Sequence, residues 1–379
     1  MLRVIQVLHH SLGSVHVNAE AESGAQGWHE VVAREIAKRT KDIDIECWRP
    51  ESSAVRMHIW GDQYGVTHRV YPSIRVRYGI ELSRQLIADL RGVRNNGPIL
   101  LHLHGLYNLT TYSLALSLGG KVPIVAHSHD PLASDHGKLR RIQNPLRRYA
   151  LHNIDRFFLP TEAQSHLFSE ICGNRQKIRI APLPVDLKQF HRIDKEGARR
   201  KLGWKPEALY ILFVGRAEER KGLRYLIEAQ RLLLLRFPSL QVMVAGAGRR
   251  QQKVSSNITF LGQVRYSELP VCYNAADVCV QPSLRESWGR AIIESLGCQT
   301  PVIATWTGCV PTLMEEGAEG LFTVPMRDST GLADTISEVL RNSDTLRRRI
   351  DRKKLEKYDS GNFVTQMLLN YKELADWYY

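Results

Sequence analysis

The sequence predicts an α/β protein of two doubly wound, Rossmann-like domains facing each other across a cleft. Three observations carry that prediction. Short β-branched runs alternate with longer helical patterns, the alternation breaks off and restarts near the middle of the chain, and 379 residues suit two domains of ordinary size. Strands that are apolar on both faces and joined by helical crossovers make parallel sheets covered by helices.

The first set of strands is VIQVL (4–8), IDIECW (43–48), PILLHLH (98–104), VPIVAHS (122–128), RFFLP (156–160) and KIRIAPL (177–183), with amphipathic stretches between most of them. A polar, charged segment without a strand signal, residues 186–208, then suits a linker with a short helix. The second set is LYILFVG (209–215), LQVMVAG (240–246), NITFLG (257–262), DVCVQPS (277–283), PVIAT (301–305) and GLFTV (320–324). The tail, NFVTQMLLNYKELADWYY (362–379), has a helical pattern ending in aromatics. The domains expected are therefore residues 1–188, residues 189–358, and a C-terminal helix, 359–379, crossing back onto the first domain. Ligands of such sheets bind outside the carboxyl ends of the strands.

Composition narrows the function classes. The formal net charge of +13 favours an anionic partner, whether nucleic acid, phosphorylated substrate or acidic lipid. The six cysteines, Cys47, Cys172, Cys272, Cys279, Cys298 and Cys309, include no CxxC pair and sit mostly in apolar contexts. They read as reduced thiols of a cytosolic protein, which leaves no disulfide framework and no zinc site. No apolar run reaches the ~18 residues of a membrane span, and the apolar run at the N-terminus is too short for a signal peptide and is broken by histidines. Membrane contact would thus be peripheral.

Two stretches carry chemistry. In FVGRAEERKG (213–222) a strand ends in Gly215, and Arg216 and Lys221 bracket the loop that opens the next helix. Helix-end amides and fixed cations favour an anion there, so the loop reads as a diphosphate site in outline, or else as a solvated charged turn. In RESWGRAIIESLGCQTPVIATWTG (285–308), Glu286 stands before an apolar helical pattern and Glu294 lies inside it. Gly289 falls where that helix begins, leaving its N–H free to face a phosphate. Glu294 can be a surface helix acid, but its neighbours Ile292, Ile293 and Leu296 mark a buried helix, and a buried acid needs a partner.

Both stretches, in this order and separation, resemble the retaining nucleotide-sugar glycosyltransferases called glycosyl transferases group 1, which have the two-domain GT-B fold. The resemblance is strongest over residues 205–330. It implies an enzyme that moves a sugar from a nucleoside-diphosphate sugar to an acceptor hydroxyl with the anomeric configuration retained, through front-face substitution in which the leaving phosphate helps deprotonate the acceptor. By the same resemblance, Arg216 and Lys221 bind the donor diphosphate, Glu286 contacts the donor sugar and Glu294 the ribose. Gly215, Ser287 and Gly289 complete the donor-binding set on this side. No cofactor or metal is implied.

The first half resembles the family more loosely. Ser23 and Gly24 in AESGAQGWHEVV resemble the loop that faces the donor diphosphate, without the family's usual double glycine. PLPVDLKQF (182–190) resembles the inter-domain PNGVD motif but lacks its Asn and Gly, and CQTP stands in place of CGTP. HLHGLYN (102–108) and AHSHDP (126–131) place His102, His104, His127 and His129 at strand ends; His129 with Asp130 resembles a family position and is the catalytic candidate of this half. An HxH pair also invites a metal, but no further ligand is placed beside it.

A basic stretch, GKLRRIQNPLRRYALHN (137–153), sets Leu139, Ile142, Leu146 and Tyr149 in one stripe among Lys138, Arg140, Arg141, Arg147 and Arg148, interrupted by Pro145. It reads as a core-facing helix with a solvated face, or as a dock for anionic lipid that would present a lipid-linked acceptor. The expected partners are a nucleoside-diphosphate sugar and a carbohydrate or lipid-linked acceptor, with the protein cytoplasmic and peripheral on the inner face of the membrane. Two other classes are set against this: a nucleotide-sugar epimerase or hydrolase of the same fold, and a nucleic-acid binder, for which no recognised module is present.

Overall fold

The computed structural model describes residues 1–8, 28–75, 81–93, 97–106, 108–129, 145–246 and 255–379. They form two compact units, one made of Met1–Pro182 with Gly361–Tyr379 and the other of Leu183–Ser360.

The first unit runs β1 (Leu2–Val7), α1 (Trp28–Arg39), β2 (Ile43–Glu51), β3 (His58–Gly61), β4 (Thr67–Pro72), β5 (Ile74–Arg75), β6 (Glu81–Leu82), α2 (Arg84–Val93), β7 (Ile99–His104), α3 (Leu109–Leu118), β8 (Ile124–His127), α4 (Pro145–His152), β9 (Arg156–Leu159), α5 (Glu162–Cys172) and β10 (Ile178–Ile180). Its main sheet has the order β10-β9-β8-β7-β1-β2-β4-β3, parallel except for the antiparallel β3–β4 pair. Strand alternation divides two cores. Ile5, Val7, Leu101 and Leu103 pack on one face, and Val4, Ile45, Leu100 and Val125 on the other.

All six strands expected in this half are present. The β3–β4 hairpin and the short β5–β6 pair are additions that hydrophobic pattern does not reveal. In β3, His58, Ile59 and Gly61 are exposed, so the strand carries little burial signal, and its turn is set by Asp62, whose carboxylate accepts the Tyr64 and Val66 N–H groups at 2.9 and 3.1 Å.

The second unit runs α6 (Lys195–Leu202), β11 (Tyr210–Val214), α7 (Leu223–Leu233), β12 (Gln241–Ala245), β13 (Ile258–Gly262), α8 (Leu269–Ala275), β14 (Val278–Gln281), α9 (Arg290–Gly297), β15 (Val302–Thr305), α10 (Val310–Glu315), β16 (Leu321–Val324) and α11 (Ser329–Arg349). Its parallel sheet has the order β13-β12-β11-β14-β15-β16, with the strand order reversing between β11 and β14. That reversal opens a crevice at the carboxyl ends of those two strands. The segment expected as a linker is built into this unit. Asp194 caps α6 by accepting the Gly197 N–H at 2.6 Å, and buried Arg199 pairs with buried Asp277 at 2.8 Å.

The last helix, α12 (Ser360–Tyr378), covers the first sheet. Val364, Met367, Tyr371 and Leu374 are buried among Val4, Ile43 and Phe158, an i, i+3, i+7, i+10 face. Arg156, itself buried, ties the helix down through Glu373 at 2.7 Å and Asn370 at 2.7 Å. Conversely, Val185 pairs with Asp359, so the segments entering and leaving the second unit run side by side within it.

The basic stretch is described only from Pro145 onward; Lys138, Leu139, Arg140, Arg141 and Ile142 lie outside the described residues, as does the Leu146 side chain. α4 is described from Pro145 onward, and a proline in the first turn of that segment costs it no N–H. The expected core-facing stripe fails at Tyr149, which is 63% exposed: α4 buries Ala150 and Leu151 instead, because those two positions face α3 and the sheet. The cysteines Cys47, Cys272, Cys279, Cys298 and Cys309 are free and buried, and among the described residues no helix is long and apolar enough to cross a membrane.

Candidate active site

Two loops meet at the carboxyl ends of β11 and β14, where the second sheet reverses. After β11 the chain turns through Gly215, with φ at +149°, and reaches α7 by way of a short 3-10 turn, Glu219–Lys221. A side chain at Gly246 would come within 2.0 Å of the Gly215 carbonyl, so the ends of β11 and β12 touch backbone to backbone. Gly222, at φ +69°, opens α7, and a Cβ there would stand 1.9 Å from the Pro282 carbonyl oxygen. The loop after β14 is held to the first loop by the Arg220 carbonyl, which accepts the Leu284 N–H at 2.7 Å.

The charged groups on these loops are joined. Lys221 Nζ lies 2.6 Å from Glu286 Oε1, and the Ser283 hydroxyl donates to the same oxygen at 2.8 Å. Arg220 stands 3.8 Å from the other Glu286 oxygen and also pairs with Glu218. Arg216 is different: its side chain is 66% exposed and pairs with Glu218 at 3.0 Å. The sequence-expected cations are thus brought to one edge, with Lys221 in the protein's own ion pair and Arg216 turned outward.

Gly289 forms the N-terminus of α9 at φ +96° with no side-chain cap, so the first amides of the helix are not covered by a capping residue. Ser287 is partly buried between Glu286 and Trp288. The loop after β15 presses on this segment: the Cys309 N–H donates to the Trp288 carbonyl at 2.6 Å, and a Cβ on Gly308 would meet that carbonyl at 2.3 Å. Glu294, 3% exposed, accepts from the Tyr273 hydroxyl at 2.9 Å and stands 3.8 Å from Arg290. Burial, and then the Glu294 carboxylate, push the Tyr273 phenol well above its ordinary pKa, so it stays a donor. The partner that a buried acid requires is therefore a tyrosine on α8, which spacing along the sequence does not reveal.

In the first unit the ends of β7 and β8 carry a stack of imidazoles. Ring centroids of His102 and His104 are 4.4 Å apart, those of His127 and His129 4.8 Å, and His29 from α1 joins at 5.5 Å from His104. His104 Nδ1 and His129 Nε2 are 3.1 Å apart, and His102 Nδ1 is 2.6 Å from the Tyr371 hydroxyl of α12. Burial pushes His102 down to about 3 and holds His104 and His127 well below the ordinary imidazole range, with the neighbouring His102 adding to both. His29 and Tyr371 are members of the cluster that the sequence pattern does not disclose. Ser23, Gly24 and Asp130 lie outside the described residues, and among the described residues no three metal-ligating side chains, those of the imidazole stack included, are arranged so that they could hold a metal ion.

Two doubly wound units, the second with its charged loops at the sheet's switch point, are the parts from which the GT-B transferases are built. Comparison with known proteins agrees. Residues 194–357 match the family Glycosyl transferases group 1 and residues 30–189 match Glycosyltransferase Family 4, so two glycosyltransferase matches lie side by side along the chain. It is 27% identical over 382 residues to a D-inositol 3-phosphate glycosyltransferase of Nocardia farcinica, spanning 88% of this chain and 82% of that protein. A protein of the same description from Geodermatophilus obscurus is 34% identical, over 44% of this chain and 41% of its own length. Among solved structures, sucrose-phosphate synthase from Thermosynechococcus elongatus superimposes with a TM-score of 0.76 at 20% identity, covering 99% of both chains. Anabaena HepE in complex with UDP-glucose gives 0.72 at 18% identity, covering 98% of this chain and 99% of that one.

Proposed function

We propose that this glycosyltransferase moves a sugar from a nucleoside-diphosphate sugar to an acceptor hydroxyl, retaining the anomeric configuration. The observation that carries the proposal is the meeting of Lys221, Glu286 and the uncapped start of α9 at the switch point of the second sheet. Cations and helix-end amides fixed at one place stabilise a leaving diphosphate as the glycosidic bond breaks, and do so without a metal. Lys221 would exchange part of its pairing with Glu286 for the phosphate, and exposed Arg216 is free to swing from Glu218 onto it. Glu286 would then hold hydroxyls of the donor sugar, and Glu294 those of the ribose. Gly215, Ser287, Gly289 and, in the first unit, Gly24 belong to the same donor set, with His129 serving the transfer step.

The relatives support one reading of the acceptor. Proteins described as D-inositol 3-phosphate glycosyltransferases support a polyhydroxylated ring carrying an anionic group, for which a strongly basic chain is suited. A lipid-linked acceptor at the inner face of an anionic membrane, approached from the cytoplasm, is the second reading, favoured by exposed Tyr149 on the basic helix α4. A panel of nucleoside diphosphates and their sugars, read by thermal shift, tests donor binding, because a ligand of the native state raises apparent stability. NMR of the first-formed product then tests stereochemistry. Inversion, or consumption of donor into an isomer with no acceptor present, would overturn the proposal, and liposome sedimentation at low and high salt separates the two acceptors.

A further inference from the structure

The loop after β15 places a tryptophan where the proposed chemistry has no assigned group. Thr305 and Cys309, its two feet, are 1% and 0% exposed, while Trp306 between them is 52% exposed. The loop is rigid by construction. The Thr305 hydroxyl donates to the Ser283 carbonyl, the Thr307 N–H returns to the Thr305 carbonyl at 2.7 Å, and the Cys309 N–H is held by Trp288 at 2.6 Å. Gly308, at φ +59°, lies so close to the β14 loop that a Cβ on it would stand 2.8 Å from Glu286 Cβ. Two residues of chain reach at most ~7 Å, so the Trp306 backbone is fixed within that distance of Gly308 and beside the Glu286 segment.

We propose that Trp306 is a stacking platform for the sugar ring of the donor, and so a specificity-determining residue. The inference rests on the donor reading above. A rigid indole offers a broad, weakly polar face that suits the C–H face of a pyranose, while an adjacent carboxylate takes the ring's hydroxyls. Two ligand parts compete for an exposed tryptophan here, the sugar and the nucleobase. The sugar is favoured because the Trp306 loop is bonded to Ser283 and Trp288 and passes close against Glu286 at Gly308, whereas the acid assigned to the ribose, Glu294, is engaged by Tyr273 within the buried face of α9.

The test compares Trp306→Ala and Trp306→Phe with wild type and with Lys221→Ala. Dissociation constants are measured for UDP, GDP and ADP and for UDP-glucose, GDP-mannose and ADP-glucose, and the pair that binds wild type most tightly is used. Because Trp306 is half exposed, both variants are expected to fold, which thermal unfolding verifies. Trp306→Ala should weaken the nucleotide sugar about tenfold and leave the nucleoside diphosphate within about twofold, with Trp306→Phe recovering most of the loss. Equal loss for both ligands would make the tryptophan a base platform, and no loss for either would make it an ordinary surface residue; either result overturns the inference alone. If no nucleoside diphosphate binds wild type, or Lys221→Ala binds it unchanged, the donor reading itself fails and the inference with it.

Discussion

Lys221 and Glu286 stand 65 residues apart in sequence and 2.6 Å apart in space. One comes from the loop after β11 and the other from the loop after β14, the two strands between which the sheet reverses. Their ion pair keeps a cation and a carboxylate half-buried at the crevice before any ligand arrives. Removing Lys221 should therefore affect turnover more than folding, since Ser283 and Arg220 still satisfy Glu286. Lys221→Ala is expected to lower kcat/KM by roughly 10- to 150-fold, the worth of one charge-assisted contact of about 1.5–3 kcal/mol, while the melting temperature shifts by only a few degrees. Arg216→Ala should do the same, and a folded double mutant with wild-type turnover would refute the assignment.

Glu294 gives a sharper test, because its burial and its bond to Tyr273 give it a structural role as well. Tyr273→Phe leaves a buried carboxylate short of a donor and should destabilise the protein by about 1–3 kcal/mol. If Glu294 also reads ribose, Glu294→Gln should weaken a ribonucleotide more than its 2′-deoxy analogue. A double-mutant cycle of residue and hydroxyl measures that coupling, and zero coupling leaves Glu294 purely structural.

Backbone geometry predicts a contrast between two glycines. At Gly262, with φ +71°, a Cβ would find no atom within 4 Å, so Gly262→Ala should cost about 1–2 kcal/mol from conformation alone. At Gly222, with φ +69°, a Cβ would stand 1.9 Å from the Pro282 carbonyl oxygen. Gly222→Ala should cost about 1–3 kcal/mol more and, by parting the two loops, lower activity as well. Urea unfolding of both variants checks the order.

The imidazole stack predicts acid lability of the first unit. The folded state holds His102 at about 3 against an ordinary 6.5, so between those pH values the unfolded chain binds a proton that the folded chain refuses. Stability is highest above pH 6.5 and falls as pH drops, by up to about 1.4 kcal/mol per pH unit for each such histidine. His104 and His127, shifted in the same direction, steepen the fall. Denaturant midpoints at several pH values measure the slope. His102→Asn should flatten it even if it lowers stability overall, and an unchanged slope would show that His102 titrates normally.

How far the sequence alone reaches depends on the kind of signal. Strands buried on both faces, such as Ile99–His104, announce themselves by composition, and all twelve expected are present. The β3–β4 hairpin does not, because an edge strand with exposed residues has no apolar run to read. Lys221, Glu286, Gly289 and Glu294 stand out as candidates because the stretches that hold them resemble a family's motifs, and the structure brings Lys221 and Glu286 into one ion pair. Their partners are not: Ser283, Tyr273 and Arg220 are ordinary residue types whose roles exist only once distant segments meet. Pairing of Arg216 with Glu218 and exposure of Tyr149 likewise depend on which way a side chain turns, which periodicity does not fix.

The return of α12 to the first sheet has a consequence for the order in which the protein is made. The segment that covers Val4, Ile43 and Phe158 is translated after the whole of Leu183–Ser360. At roughly 5–20 residues per second, the ribosome takes on the order of ten to forty seconds to pass through that intervening stretch. During this interval the first sheet leaves the exit tunnel with one apolar face and its histidine row still bare, while the second unit, contiguous in sequence, can close its core as soon as it emerges. The half that is synthesised first is thus completed last, and its nascent form is the one that most needs shielding by chaperones.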